Sequence, residues 1–248
     1  MTQMIVALDV DTIREEEELL ERLKGTITFY KIGLQLFTAH GKRAVDLVHR
    51  AGNRVFLDLK FCDIPQTVAN AVRETQKLGV EAVSLHLSGG ADMLRAAAEL
   101  RPRPKLWGVT VLTSMTAADL HALHPRAGVR SAVRNLARLG LSRGIDGIIC
   151  SGNEVEPLRK ALNLEKSSKQ GIASLSHGPR FITPGIRPAD NAVHDQKRVI
   201  TPEKAAELGI DYIVIGRPIT AAPDPLKAAQ KILGDMKAAA PRAIEKSC

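Results

Sequence analysis

The chain predicts an α/β fold, a (β/α)8 barrel, as a single domain over 1–248. Three observations predict it. Eight short β-rich runs recur along the 248 residues, segments of helical spacing separate them, and no linker divides the chain. Strands alternating with helices imply right-handed βαβ units and a parallel sheet. Eight units in about 250 residues match the count and length of the closed barrel. A doubly wound open sheet is the competing fold. It wants a Gly-rich turn after the first strand, and that turn reads DVDTI, without glycine.

The elements follow in order. MIVALDV (4–10) is the first strand, and REEEELLERLK (14–24) the first helix. Its acidic run at 15–18 belongs in the first turn, where the macrodipole favours it, on a solvated face. TFYKIGL (28–34) precedes the helical AVDLVHRA (44–51), and RVFLDLK (54–60) precedes TVANAVRETQKLG (67–79). AVSLHL (82–87) follows, and Gly89 and Gly90 open the helix of ADMLRAAAEL. KLWGVTVL (105–112), GIDGIICS (144–151), RFITPG (180–185) and DYIVIG (211–216) complete the set. Two stretches depart from the alternation. Residues 163–179 are rich in Ser, Lys and Gly and read as an inserted surface loop. Residues 235–248 read as a helix end and a C-terminal tail.

Composition narrows the function. With 44% hydrophobic and 25% charged residues, the chain is not a largely disordered one. No apolar stretch approaches the ~18 residues of a membrane span. The N-terminus has no basic flank and carries Asp9 inside its apolar run, unlike a secretory signal. Cys62, Cys150 and Cys248 are too few and too scattered for a disulfide framework or a zinc site. They predict reduced thiols in a cytoplasmic protein. The 35 basic and 27 acidic residues leave +8. Such a balance suits nucleic acid, a membrane surface or a small anion. No basic run reaches five residues, and one Trp, two Tyr and five Phe make no stacking platform for bases. A phosphorylated small substrate fits the charge better.

Polar residues collect where the strands end. Asp9 closes the first, Lys31 lies late in the second, Asp58 and Lys60 end the third, and His86 ends the fourth. Thr113, Ser151, Pro184 with Gly185, and Gly216 with Arg217 follow the remaining four. In a barrel this is the C-terminal face, where active sites sit. Strand alternation puts Phe56, Asp58 and Lys60 on one face, with Val55, Leu57 and Leu59 toward the helices. Ile5, Ala7 and Asp9 share a face by the same rule. A lone Asp–Lys pair reads as an ion pair at a strand end. With Lys31 and Asp9 on neighbouring strands it reads as a site. Carboxylates at Asp58 and Asp63 flank Lys60 and favour its ammonium form. That environment suits an acid or an electrostatic stabiliser, and it leans away from Schiff-base chemistry. His86 has no obvious partner and reads as a packed or supporting histidine.

TPGIRP (183–188) and IGRP (215–218) follow the last two strands. Gly-Arg-Pro also makes ordinary turns, but barrels frequently bind phosphate at this place, on backbone N–H groups and an Arg fork. The polar stretch 187–198 is long enough to close over a ligand.

These motifs resemble the orotidine 5'-phosphate decarboxylase family, in its bacterial single-function forms. The likeness runs through ALDV (7–10), YKIGL (30–34), FLDLKFCDIPQT (56–67), HLSGG (86–90), VLTSM (111–115), CSGNE (150–154), TPGIRP, DQ (195–196) and VIGRP (214–218). DLKFCDIPQT is its most specific part. A chain of this length leaves no room for a fused phosphoribosyltransferase domain. The resemblance implies Lys60 as proton donor to C6, Asp58 beside the scissile carboxylate, and Lys31 pairing with Asp58 and touching the ribose. It implies Asp9 on a ribose hydroxyl and Thr113 on the pyrimidine. Gln196, Arg217 and the backbone near Gly216 would hold the phosphate, with Arg187 and Pro184 in the closing loop. Asp63 and Thr67 would reach into the partner's site of a homodimer. The stretch 163–179 is longer than the family pattern.

The chemistry agrees. Loss of CO2 from C6 leaves an in-plane carbanion with no adjacent carbonyl to take the charge. A fixed ammonium at Lys60 stabilises it without metal or cofactor. A charge pair at ~4 Å gains about 4 kcal/mol at an effective dielectric near 20. The high end of enzymatic acceleration is ~23 kcal/mol, so binding energy from the distant phosphate must contribute. Two alternatives stand beside this reading. One is a related-barrel sugar-phosphate decarboxylase or synthase that uses magnesium; the other is a basic nucleic-acid-binding module.

Overall fold

The computed structural model describes residues 2–123, 125–126, 128–164, 178–188 and 198–240. Eight parallel strands close into a barrel in sequence order. They are β1 (Gln3–Ala7), β2 (Phe29–Gly33), β3 (Arg54–Phe61), β4 (Ala82–His86), β5 (Lys105–Val109), β6 (Gly147–Ile149), β7 (Arg180–Thr183) and β8 (Tyr212–Ile215). β1 and β8 seal it, with Gln3 beside Tyr212 and Val6 beside Ile215. The helices are α1 (Ile13–Arg22), α2 (Leu34–His40), α3 (Lys42–Arg50), α4 (Pro65–Lys77), α5 (Ala91–Ala98), α6 (Ala117–Leu123), α7 (Val129–Ser142), α8 (Gly152–Ala161), α9 (Pro202–Glu207), α10 (Arg217–Thr220) and α11 (Pro225–Ala239). The open doubly wound alternative is thereby excluded. Among the described residues no helix is long and apolar enough to cross a membrane.

Strand alternation sorts the core into two layers. Ile5, Phe29, Phe56, Trp107, Ile149, Ile182 and Val214 fill the barrel interior. Phe56 and Trp107 pack with their rings tilted 55° and centroids 4.5 Å apart, and Tyr212 lies 5.1 Å from Trp107. Val55, Leu57, Val83 and Leu85 face outward into the larger core under the helices. Large aromatic side chains plug the lower barrel, so open space is left toward the C-terminal end of the strands.

The ladders are shorter than the apolar runs suggest. Asp9, Thr113 and Ser151 lie beyond the last paired residue of their strands. Gly90 is the N-cap of α5, with φ 90°, as its position before the helix predicts. The acidic run on α1 divides against expectation. Glu15, Glu17 and Glu18 are exposed, but Glu16 is fully buried, and neither of its oxygens has a hydrogen-bond partner among the described residues. Thr12 caps the helix in a capping box with Glu15. This register turns Glu16 inward beside Leu19 and Leu20. Burial pushes its carboxyl up to about 8. Of the inserted stretch, residues 165–177 lie outside the described residues, as do 241–248 of the tail; α11 extends to Ala239.

Candidate active site

A cavity of about 550 Å3 opens at the C-terminal end of the barrel. Asp9, Lys31, Asp58 and Lys60 line one side. Thr113, Pro184, Gly185, Arg187, Gly216 and Arg217 line the rest of the mouth, and Phe56, Val109, Ile182 and Val214 form an apolar floor.

The charged side is a chain of ion pairs carried by adjacent strands. The Lys31 ammonium donates to Asp9 Oδ1 at 2.8 Å and lies 3.9 Å from Asp58 Oδ2. The Lys60 ammonium donates to the same Asp58 Oδ2 at 2.9 Å. Lys31 therefore sits closer to Asp9 than to Asp58, the partner expected for it. Asp58 is only 13% exposed. Burial works to raise its carboxyl. The nearby ammonium groups of Lys31 and Lys60, with hydrogen bonds from Lys60 and Ser84, outweigh burial and hold it below the usual carboxylate range. Gly33 makes room for this chain, since a Cβ there would lie 2.7 Å from Lys31 Nζ.

Ser84 is a part of the site that the sequence reading passed over. Its hydroxyl donates to Asp58 Oδ1 at 2.7 Å and accepts from the Lys60 backbone N–H at 2.8 Å. The signal was present: Ala82, Ser84 and His86 alternate onto the inward face of β4. Lys60 also departs from regular strand geometry. Its φ is 51°, and the pairing of β3 with β4 slips between Leu57 and Phe61. Asp58 and Lys60 do share the cavity, as alternation predicts, but an irregular backbone delivers the lysine. A non-glycine residue in the left-handed region costs about 1–2 kcal/mol, and such strain gathers at functional positions. The bond from Lys60 N–H to Ser84 helps to hold it.

His86, at the end of β4, is half-buried. Burial lowers its pKa, the Lys60 ammonium lowers it further, and Asp58 opposes both. Cys150 lines the cavity, although the sequence reading set it aside. Burial pushes its thiol up to about 12, so it is a packing group there.

Asp63 and Thr67 are not brought to the cavity of their own chain. Asp63 is exposed, and its Oδ1 accepts from the next backbone N–H, Ile64, at 2.6 Å. The chain that flanks Lys60 is thus Asp9–Lys31–Asp58–Lys60, without Asp63. The segment 62–67 is exposed throughout, with Ile64 at 67%. Gln196 and most of the stretch 187–198 lie outside the described residues.

Sequence reasoning also missed a partly buried ion pair behind the cavity wall, between Glu154 and Arg198, whose guanidinium meets the carbonyls of the lining residues Val111 and Leu112. The partners are 44 residues apart, a separation at which periodicity carries no information.

The profile of the family described as "Orotidine 5'-phosphate decarboxylase / HUMPS family" matches residues 2–232. A protein of Saccharophagus degradans named orotidine 5'-phosphate decarboxylase is 43% identical over 238 residues, covering 94% of each chain. One of Laribacter hongkongensis with the same name is 46% identical over 231 residues, covering 91% of this chain and 89% of its own. The crystal structure of orotidine 5'-phosphate decarboxylase from Lactobacillus acidophilus superposes with a TM-score of 0.77 at 32% identity, covering 95% of this chain and 99% of that one.

Proposed function

This chain belongs to the orotidine 5'-phosphate decarboxylase / HUMPS family and is a carboxy-lyase; from that premise we propose that it converts orotidine 5'-phosphate to UMP and CO2 in pyrimidine biosynthesis, with Lys60 as proton donor and no cofactor. The observation that carries the reading is the Lys60 ammonium, held 2.9 Å from a largely buried Asp58 at the cavity wall.

The bond from C6 to the carboxylate breaks, and its electron pair stays on C6 as CO2 leaves. The Lys60 ammonium stabilises that pair and then delivers a proton to it, and the amine is reprotonated from solvent. Asp58 is kept ionised by its two lysines, and it fixes the Lys60 ammonium where the carbanion forms. Lys31 and Asp9 orient the ribose. Thr113 meets the pyrimidine. Arg217, the backbone at Gly216 and Gln196 take the phosphate, with Pro184 and Arg187 in the segment that closes on it. Those contacts supply binding energy far from the reacting bond, which the transition state can use.

Asp63 and Thr67 serve the site of a partner subunit, so the working unit is a homodimer with shared sites. The exposure of 62–67 and the absence of Asp63 from its own cavity support this. Free Cys62 and Cys150 are consistent with a cytoplasmic location.

The test is the absorbance change of orotidine 5'-phosphate on mixing with purified protein, with UMP identified by chromatography. Activity that persists in excess EDTA supports the cofactor-free reading. Activity lost in EDTA and restored by magnesium favours the magnesium-dependent alternative. No turnover at all sinks the substrate assignment.

A further inference from the structure

We propose that the Glu154–Arg198 ion pair is a positioning device that ties the phosphate-side and pyrimidine-side segments of the mouth into one unit. The proposal rests on the substrate assignment above and concerns residues to which that assignment gives no role.

Glu154 is buried and Arg198 partly so, with 9% and 19% of their side chains exposed. Each partner is held by further contacts. Glu154 is the third residue of α8, and its Oε2 accepts from the Ser151 N–H at 3.0 Å. Ser151 Oγ in turn donates to the Arg198 carbonyl at 3.2 Å. The Arg198 guanidinium spans to a third segment: Nη2 donates to the carbonyls of Val111 at 3.2 Å and Leu112 at 2.8 Å. Thr113, which lines the cavity, is the next residue.

From Arg198 the chain reaches the phosphate side in two residues. Ile200 bridges Ile186; the Arg187 N–H donates to the Ile200 carbonyl at 3.1 Å, and the Ile200 N–H donates to the Gly185 carbonyl at 3.3 Å. Ile200 also packs directly on Gly152, where an added Cβ would lie 2.1 Å from its Cδ1. A continuous set of contacts therefore runs from Arg187, through Ile200 and Arg198, to Thr113, and Glu154 anchors its centre to α8.

A largely buried guanidinium, with one nitrogen on two carbonyls and another on a carboxylate, is a costly arrangement for mere surface packing, because each group must leave water. It does gain rigidity between segments that contact opposite ends of one substrate. Binding energy from the phosphate helps the chemistry only if the pyrimidine contacts are held in register with it. Without the pair, phosphate contacts still form but no longer align the other side.

The test compares orotidine 5'-phosphate with orotidine, which lacks the group that the phosphate side grips. Arg198→Met is expected to lower kcat/KM for orotidine 5'-phosphate by roughly 10- to 100-fold, the range for losing charge-assisted hydrogen bonds. The loss on orotidine stays within about 2-fold, since that substrate never draws on the phosphate contacts. Glu154→Gln follows the same pattern more weakly. Arg198→Lys retains the charge and regains part of the loss; it also carries the comparison if the Met variant does not fold. Equal proportional losses on both substrates, or none on either, overturn the proposal and leave the substrate assignment standing. Wild-type protein inactive on orotidine 5'-phosphate overturns both.

Discussion

Both ends of the barrel carry buried or half-buried charge, and they use it differently. At the N-terminal end Glu81 takes Arg54 at 3.2 Å and Lys105 at 2.8 Å, Arg103 meets Asp146, and Arg180 meets Asp211 at 2.7 Å. Each acid there sits just before a strand, and two of them also accept a strand N–H, that of Leu106 for Asp146 and of Phe181 for Asp211. These pairs close the bottom of the sheet and do not line the cavity at the mouth. At the C-terminal end one carboxylate, Asp58, serves two ammonium groups, and the second of them, Lys60, faces open space. A rim lined with charge therefore does not mark a site by itself. A cation whose counter-ion is shared, and which borders a cavity, does.

The largest test of that distinction is Lys60→Ala. We expect at least a ~10³-fold loss of kcat/KM, the order that removal of a central electrostatic group produces. The fold should survive, because alanine keeps the same Cβ at this positive-φ position and the change leaves Asp58 with Lys31 and Ser84. Melting temperature and kcat/KM are measured together. A folded variant that keeps a tenth of wild-type activity, a difference of only about 1.4 kcal/mol, removes Lys60 from the role of proton donor.

The next test asks whether the C-terminal end is complete within one chain. Lys60→Ala and Asp63→Ala subunits, each inactive alone, are mixed and allowed to exchange. If sites are shared, a mixed dimer holds one site that lacks both groups and one that has both. Equal exchange makes about half the dimers mixed, so about a quarter of wild-type activity returns, by two-fold symmetry. Native mass spectrometry reports the exchange. Confirmed exchange without recovery assigns Asp63 to its own Lys60 and ends the shared-site reading.

The opposite end should respond in the opposite currency. Asp146→Ala strands the Arg103 guanidinium, whose side chain is 9% exposed, and frees the Leu106 N–H. We expect roughly 2–4 kcal/mol of lost stability, as for a partly buried pair broken on one side. Turnover per folded molecule should change by less than about 2-fold, because nothing at the mouth is touched. Urea unfolding and active-site titration give the two numbers. A large drop in turnover with unchanged stability inverts the comparison of the two ends.

How much of this was legible follows from what periodicity can report. Alternation gave Ile5, Ala7, Phe56 and Asp58 their correct face, because those residues lie in regular strand. It reached Lys60 too, but without the irregular backbone that delivers it. The ends of the strands located the mouth, yet the same reasoning applied to the acids before the strands would have found the other end as well. Ser84 was readable from its place between Ala82 and His86, and was missed because a serine in an apolar run looks inert. The Glu154–Arg198 pair was not readable, since only closure of the barrel brings those residues together.

Glu16 is the smallest effect and the sharpest contrast with Asp58. Glu16 is fully buried and Asp58 largely so; Asp58 has two cations and a hydroxyl, and Glu16 has no hydrogen-bond partner among the described residues. Their pKa values move in opposite directions for that reason, Glu16 up to about 8 through burial alone. The sign follows by linkage. Above the ordinary glutamate range the unfolded chain has released this proton while the folded chain still holds it. Stability from this group is therefore full at pH below about 4.5 and is lost progressively as pH rises toward about 8. The slope is at most about 1.4 kcal/mol per pH unit. Glu16→Gln cannot ionise, so its stability should overtake the wild type by a margin that grows from pH 5 to pH 8. Urea unfolding at pH 5, 6.5 and 8 measures that margin. Parallel profiles for the two proteins mean that Glu16 ionises in the folded state as freely as in the unfolded one, and that its burial does not set its charge.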